Sequence, residues 1–145
     1  MFLGRYEHSI DEKGRMTIPA RYRDLIVNGA YIYQGFDQNL IVMSNEPYEQ
    51  IYQQVNQMNM TDPIARQLKR HILSNTDWVE VDKSGRILIP QFLRQAVQID
   101  GTAIVVGVGD YFEIWSPTNW AKQNELIQDV DKNLQRYASY NISIR

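Results

Sequence analysis

Short runs in which apolar residues alternate with polar ones recur along this chain and predict a protein built mainly of β-strands. Glycine or aspartate occurs in the turns that join several of these runs. The predicted strands cover residues 6–10, 16–18, 30–35, 39–44, 78–81, 87–89, 102–109 and 111–116. Because helical periodicity separates some of them, the expected fold class is α+β, mainly β.

Helices are predicted in the stretches between and after these strands. Ser44 or Asn45 is a cap candidate for one helix, and Thr61 or Asp62 for a second. Residues 117–137 are predicted to form one long helix. Its apolar stripe would consist of Trp120, Leu126, Ile127, Val130 and Leu134. The tail, residues 137–145, fits either a frayed end or an edge strand.

A nine-residue motif occurs twice, as DEKGRMTIP at residues 11–19 and as DKSGRILIP at residues 82–90. With an offset of 71, six of the seventeen positions in residues 10–26 are identical in residues 81–97. Roughly one identity would be expected by chance at ordinary residue frequencies. We therefore interpret the chain as two copies of one unit.

Each copy begins with the residues of a hairpin turn. An aspartate there can accept hydrogen bonds from nearby backbone N–H groups, and a glycine three residues later can adopt a positive φ. We expect Asp11 and Gly14 to hold the first loop, and Asp82 and Gly85 to hold the second. A proline then ends each following strand and suits the first turn of a short helix.

The two halves of the chain are residues 1–76 and 77–145, and each is close to the lower size limit for an independent hydrophobic core. The first half would be one repeat with two appended helices, and the second would be one repeat with a C-terminal helix. We expect the halves to intertwine about a pseudo-twofold axis and to share one core, because closing the sheet in this way removes exposed strand edges.

Composition excludes several classes of protein. Of the 145 residues, 43% are hydrophobic and 22% are charged, as in ordinary globular proteins. The absence of cysteine excludes disulfides and thiol catalysis, and two histidines alone cannot build a metal cluster, so we expect no metal and no cofactor. Neither a signal peptide nor an apolar run near the ~20 residues of a membrane span is present, which predicts a cytoplasmic protein with no membrane partner.

The charge of the chain is small but unevenly distributed. A net charge of −2 and a pI of about 5.6 argue against a polyanionic partner. Residues 5–23 nevertheless carry five Lys or Arg against three acidic residues, and many of the acids lie after residue 99. The distribution therefore permits a basic face and an acidic back.

The segment MFLGRYEHSIDEKGRMTIPARYRDLI at the N-terminus, together with DKSGRILIPQFLR in the second half, closely resembles the MraZ family of bacterial transcriptional regulators. That family carries two copies of an Asp-x-x-x-Arg motif, which correspond here to Asp11 with Arg15 and to Asp82 with Arg86. The resemblance covers nearly the whole chain. AbrB-like and MazE-like proteins are the wider relatives, and they usually carry one such unit per chain.

The resemblance implies a double-split, swapped-hairpin β-barrel built from two AbrB-like repeats with peripheral helices, and an assembly of several copies into a ring. It also implies a repressor on the nucleoid that binds short direct repeats in the promoter of the cell-division and cell-wall gene cluster, with no small-molecule substrate. The second loop departs from the first, since Ser84 is equivalent to Lys13 and Leu88 to Thr17. The second loop would then contact DNA differently or serve a subunit interface.

In this interpretation the two loops supply the DNA contacts. Arg15 and Arg86 could each donate two hydrogen bonds to guanine O6 and N7, or grip a phosphate. Lys13 and Lys83 would be phosphate anchors, as compact charges on flexible stems. The loop aspartates cannot face phosphate without repulsion, so we expect them to hold the loops and orient the arginines.

Two further arginines, Arg23 and Arg94, also recur at equivalent positions. Either an ion pair with a loop aspartate or a DNA contact would explain them. One hairpin that neutralises ~2–3 phosphates gives a salt slope of only about −2 to −3, too weak for specific binding at physiological salt. Several hairpins must therefore act together, on DNA repeats spaced near one helical turn, ~10 bp.

Two other function classes are alternatives to DNA binding. A ring-forming interaction protein, such as an antitoxin-like clamp, could use the same hairpin tips on a protein partner. An enzyme would need a nucleophile in a recognisable setting or a glycine-rich phosphate loop, and the sequence offers neither. We therefore expect no enzymatic activity.

Overall fold

The computed structural model describes residues 1–142 and has the α+β, mainly β architecture that the pattern predicts. Its strands are β1 Arg5–Ser9, β2 Arg15–Thr17, β3 Ala30–Gln34, β4 Leu40–Met43, β5 Thr76–Val79, β6 Arg86–Leu88, β7 Thr102–Gly107 and β8 Phe112–Trp115. The α-helices are α1 Ala20–Arg23, α2 Asn45–Asn56, α3 Pro63–Leu73, α4 Gln91–Ala96, α5 Pro117–Gln128 and α6 Val130–Tyr137. Short 3-10 turns follow α1 at Asp24–Ile26 and α6 at Ala138–Tyr140.

Six antiparallel strands form one sheet in the order β1-β7-β8-β4-β3-β5. The order interleaves the two halves of the chain, because β1 of the first half pairs with β7 and β4 pairs with β8. The remaining strands, β2 and β6, pair antiparallel with each other and form a separate two-stranded ribbon. Each half therefore contributes strands to both layers. The swapped-hairpin barrel expected from the resemblance stays a prediction.

The main core lies between these layers and receives side chains from both halves. Equivalent residues of the two repeats are buried together in it, namely Met16 and Ile87, Ile18 and Ile89, and Tyr22 and Leu93. A second, smaller cluster lies under α2 and α3, where Tyr33, Met43 and Tyr48 are buried with Val55 and Ile72. Burial of this kind contributes about 1.5–3 kcal/mol per large apolar side chain, so the shared core is the principal source of stability.

The two helices predicted after β4 are present. Asn45–Asn56 follows Ser44, which has extended backbone angles, and the Asp62 carboxylate accepts a hydrogen bond of 2.9 Å from the Ile64 N–H at the start of α3. Proline at the first position of α3 lacks only an N–H that has no partner within the helix.

The prediction of one long helix over residues 117–137 is wrong, because the chain leaves the helical conformation at Asp129 (φ −78°, ψ 78°). Its carboxylate accepts a hydrogen bond from the Lys132 N–H and caps a second helix. The Asn133 amide donates to the carbonyls of Leu126 and Ile127, at 2.7 and 3.0 Å, and so holds α6 against the end of α5.

Part of the tail can be described. Residues 138–140 form a 3-10 turn rather than an edge strand, and residues 143–145 lie outside the described residues. In residues 1–142, no helix has the length and apolar character to cross a membrane.

Candidate nucleic-acid interface

The first loop is organised around the carboxylate of Asp11. One oxygen accepts hydrogen bonds from the backbone N–H groups of Lys13 (3.0 Å) and Arg15 (2.9 Å). The other accepts from Nε of the Arg15 side chain at 2.7 Å. One carboxylate therefore fixes both the backbone of the loop and the direction of its arginine.

The second loop repeats this arrangement atom for atom. The Asp82 carboxylate accepts from the N–H groups of Ser84 and Arg86, each at 2.9 Å, and from Nε of Arg86 at 3.0 Å. The exchange of Lys13 for Ser84 leaves this network intact, because only the backbone of that residue takes part in it.

A glycine closes each loop with a conformation that other residues rarely adopt. Gly14 has φ +90° and donates its N–H to the Asp11 carbonyl at 2.9 Å, and Gly85 has φ +77° and donates to Asp82 at 3.0 Å. Positive φ costs a residue with a Cβ about 1–2 kcal/mol. This conformation is the one that the sequence pattern predicts for both glycines.

The hydrogen bonds lower the pKa of both loop aspartates. For Asp11 and Asp82 the largest cause is the backbone N–H of Arg15 or Arg86, and the arginine side chain adds to it. Both carboxylates are therefore ionised near neutral pH and keep Nε of the arginine occupied. Within the described residues, the terminal guanidinium nitrogens of Arg15 and Arg86 make no hydrogen bond and can face a ligand.

The β2–β6 ribbon joins the two loops. The Ile18 N–H donates to the Gly85 carbonyl (2.9 Å), and the Ile89 N–H donates to the Gly14 carbonyl (2.8 Å). The loops thus lie at opposite ends of one short ribbon, separated by the four residue steps from Gly14 to Ile18, or about 14 Å. All the residues predicted for this site, Asp11, Lys13, Gly14, Arg15, Asp82, Lys83, Gly85 and Arg86, belong to these two loop–ribbon junctions.

The space above each glycine is occupied by an arginine of the other half, which the sequence did not reveal. A Cβ added to Gly14 would lie 2.7 Å from Cζ of Arg94, and one added to Gly85 would lie 2.5 Å from Cζ of Arg23. Both glycines are buried under these guanidinium groups. The close packing of an arginine is therefore a second reason, besides the positive φ, why a side chain is missing at both positions.

The same two arginines do not form the ion pairs that were one explanation for their recurrence. In residues 1–142, carboxylate oxygens within 4.0 Å of a basic nitrogen join Arg15 to Asp11, Arg86 to Asp82 and Lys132 to Asp129. Arg23 and Arg94 instead donate Nε to the carbonyls of Ile18 and Ile89, each at 3.0 Å. Their recurrence at an offset of 71 marked both arginines in the sequence, but it did not show which groups they contact.

The described part of the chain offers no group of three or more metal-ligating side chains. Lys13 and Lys83 are exposed, and their amino groups form no ion pair in residues 1–142. The available donors of the two loops are thus the terminal nitrogens of Arg15 and Arg86 and the amino groups of Lys13 and Lys83, a set suited to anionic ligands.

Comparison with known proteins identifies relatives along most of the chain. A family model described as "MraZ protein, putative antitoxin-like" matches residues 1–71 and again residues 72–138. A protein of Thermomicrobium roseum named transcriptional regulator MraZ is 42% identical over 127 residues, which are 88% of this chain and 89% of the relative. The proteins of that name from Roseiflexus castenholzii and Leuconostoc mesenteroides are 41% and 35% identical. They cover 95% and 90% of this chain, and 94% and 92% of their own lengths.

Proposed function

Because the chain belongs to the MraZ family, whose relatives are named transcriptional regulators, we propose that it is a sequence-specific regulator that binds double-stranded DNA through its two loops. The observation that carries the proposal is the duplicated loop, in which an aspartate directs an arginine whose terminal nitrogens have no partner in residues 1–142. As a member of a family of regulators, the chain is not an enzyme.

The arginines are proposed to read bases and the lysines to contact the backbone. Nε of Arg15 is held by Asp11, and its terminal nitrogens have no partner in residues 1–142 and form a pair of available donors. Arg86 is held in the same way by Asp82. Such a pair matches O6 and N7 of guanine in the major groove. Lys13 and Lys83 carry mobile charges suited to phosphate.

We also propose that several copies act together as a ring. A chain with net charge −2 gains little from general electrostatic attraction to DNA, so tight binding requires many loops on successive direct repeats. Large apolar side chains on α5 and α6 support an assembly. The exposed ones are Leu126, Ile127, Val130, Leu134 and Tyr137. A concentration of exposed apolar side chains marks interaction sites in soluble proteins.

The finer features of the fold follow the same interpretation. Interleaved strands and a core that receives residues from both halves support two repeats, residues 1–76 and 77–145, in a double-split swapped-hairpin barrel. The ribbon of β2 and β6 would be the point where the hairpins exchange. In the cell we place the protein in the cytoplasm on the nucleoid, as a repressor at the promoter of the cell-division and cell-wall genes.

A gel-shift titration with the DNA upstream of its own gene tests the proposal. We expect a shift that Arg15→Ala abolishes and that Arg21→Ala, an exposed arginine on α1, preserves. Light scattering should give the same particle mass for all three proteins. If the wild-type assembly binds neither this DNA nor other duplexes, the alternative is favoured, a protein-interaction module of the antitoxin-like kind named in the family description.

A further inference from the structure

We propose that Arg23 and Arg94 are a second pair of DNA ligands, which contact backbone phosphates and which each half of the chain places on the loop of the other half. The inference rests on the proposed DNA binding and adds residues outside the Asp-x-x-x-Arg motif. It assigns a share of the sequence-independent affinity to these two arginines, beside Lys13 and Lys83, and it leaves base contacts to Arg15 and Arg86.

The position of each arginine is fixed by two contacts. Nε of Arg23 donates to the Ile18 carbonyl at 3.0 Å, and its guanidinium covers Gly85, whose carbonyl in turn accepts from the Ile18 N–H. Arg94 makes the equivalent contacts with Ile89 and Gly14. Both side chains therefore lie at the loop–ribbon junctions. Arg23 covers the glycine that precedes Arg86, and Arg94 covers the glycine that precedes Arg15.

Charge distinguishes these arginines from those of the motif. The charges of Arg15 and Arg86 are each paired with a carboxylate at 2.7 and 3.0 Å, whereas neither Arg23 nor Arg94 has an ion-pair partner in residues 1–142. Both remain partly exposed. A guanidinium whose Nε donates a hydrogen bond to a carbonyl keeps its full positive charge and four further N–H donors. These donors can form hydrogen bonds with the oxygens of a phosphate.

The surroundings of the two differ. The charge of Arg23 acts on His8. The pKa of that histidine is lowered, first by burial and second by the Arg23 guanidinium. Arg94 lines a cleft that also includes Asp11, Glu12 and Asp100. We therefore expect Arg23 to make the larger contribution to phosphate binding.

The experiment measures binding to two duplexes of equal length, the DNA upstream of the gene and a scrambled version of it, by fluorescence anisotropy over a range of salt concentrations. The variants are Arg23→Gln/Arg94→Gln and Arg23→Lys/Arg94→Lys, with Arg21→Gln as the matched control on α1. Glutamine keeps a donor for the Ile18 and Ile89 carbonyls and removes the charge. Lysine keeps the charge and removes the planar fork.

We expect the glutamine pair to weaken binding to both duplexes by a similar factor, about tenfold or more at physiological salt. The plot of log K against log salt should become shallower by about 0.9 for each phosphate contact that is lost. The lysine pair and Arg21→Gln should keep the wild-type slope. Among the glutamine variants, Arg23→Gln alone should weaken binding to both duplexes more than Arg94→Gln alone.

The inference is overturned if the glutamine pair keeps the wild-type slope, or if the lysine pair loses it, because the arginines would then only brace the loops. If light scattering or thermal unfolding shows that the glutamine pair does not assemble, the slope of the lysine pair decides. Failure of the proposed function would look different, since wild-type protein would then bind neither duplex.

Discussion

Met16 and Ile87 lie directly opposite each other in the β2–β6 ribbon. They are also equivalent residues of the two repeats, at the offset of 71 that relates the motifs. A local twofold axis therefore passes between them, and each half supplies one strand of a ribbon that neither half could form alone. The internal repeat is thus visible in the structure as a ribbon with one strand from each half.

This relationship makes the ribbon pair a sensitive point for stability. Met16 and Ile87 are 0% and 1% exposed in the shared core. We expect Met16→Ala and Ile87→Ala each to lower the free energy of unfolding by about 2–5 kcal/mol in denaturant titrations, as large-to-small core substitutions do. Because the two side chains are in neighbouring positions, the double variant should show a coupling of about 0.5–3 kcal/mol.

Leu88→Ala provides the control for these two variants. Leu88 belongs to the same ribbon but is 55% exposed, so its truncation should change the free energy of unfolding by about 0.5 kcal/mol or less. Equal losses in the free energy of unfolding for Met16→Ala and Leu88→Ala would show that the buried side chains of the ribbon do not contribute to the core.

The sequence predicted those features that depend on neighbouring residues. The Asp11 loop and the positive φ of Gly14 follow from hydrogen bonds and steric limits within five residues, and the cap of α3 at Asp62 is equally local. Such patterns can be recognised without knowledge of the rest of the chain.

The features that escaped prediction depend on contacts between distant parts of the chain. The packing of Arg23 on Gly85 joins residues that are 62 positions apart, so no local pattern reports it. The division of the C-terminal helix was missed for a different and local reason, because apolar residues continue at helical spacing past Asp129, where the backbone leaves the helical conformation.

The glycine of the first loop can be tested separately for conformation and for space. Gly14→Ala and Gly101→Ala both place a Cβ at positive φ, 90° and 74°, and should each cost about 1–2 kcal/mol of stability. The Cβ at position 101 meets nothing within 4 Å, whereas at position 14 it would displace Arg94. Only Gly14→Ala should therefore weaken DNA binding in anisotropy titrations, and equal affinity for the two variants would contradict this role of Arg94.

The loop carboxylates predict how stability depends on pH. The pKa of Asp11 is lowered below its ordinary value of 3.8, mainly by the Arg15 N–H, so the folded state binds the proton more weakly than the unfolded state. The contribution of the ionised Asp11 carboxylate to the free energy of unfolding is therefore complete above the ordinary pKa of 3.8. It is lost as the pH falls from that value through the lower pKa of the folded state. The difference in Tm between wild type and Asp11→Asn should therefore be constant from about pH 7 to pH 5 and shrink below about pH 4.

Asp24→Asn is the control for this measurement, because Asp24 is exposed and has no ion-pair partner in residues 1–142. Its Tm should follow that of the wild type at every pH. A difference between wild type and Asp11→Asn that persists unchanged into acid would remove the carboxylate charge from the account of the loop.

The contact between α5 and α6 depends on one buried amide. Asn133 is 5% exposed and donates to the Leu126 and Ile127 carbonyls, so Asn133→Ala leaves two carbonyls without this donor. We expect hydrogen exchange in α6 to become faster by about tenfold or more, since each such hydrogen bond contributes about 0.5–1.5 kcal/mol. Gln135→Ala, an exposed position in the same helix, should leave exchange unchanged, and equal rates in both variants would contradict the role of Asn133.

The apolar surface of α6 gives the test of assembly. Val130 and Leu134 lie one helical turn apart and are 63% and 68% exposed, although both are large aliphatic residues. If copies of the chain cover them in the proposed ring, a glutamate at either position would bury a charge without a partner, which strongly destabilises an interface. Val130→Glu and Leu134→Glu should therefore lower the particle mass in light scattering towards that of one 17.0 kDa chain, while far-UV circular dichroism stays unchanged.

Gln135→Glu adds the same charge at an exposed position of α6 and should leave the mass unaltered. Because joint engagement of many loops supplies the affinity, the two dissociated variants should also bind DNA with a salt slope near that of a single chain. A full-sized particle in both variants would place the ring contacts elsewhere on the surface.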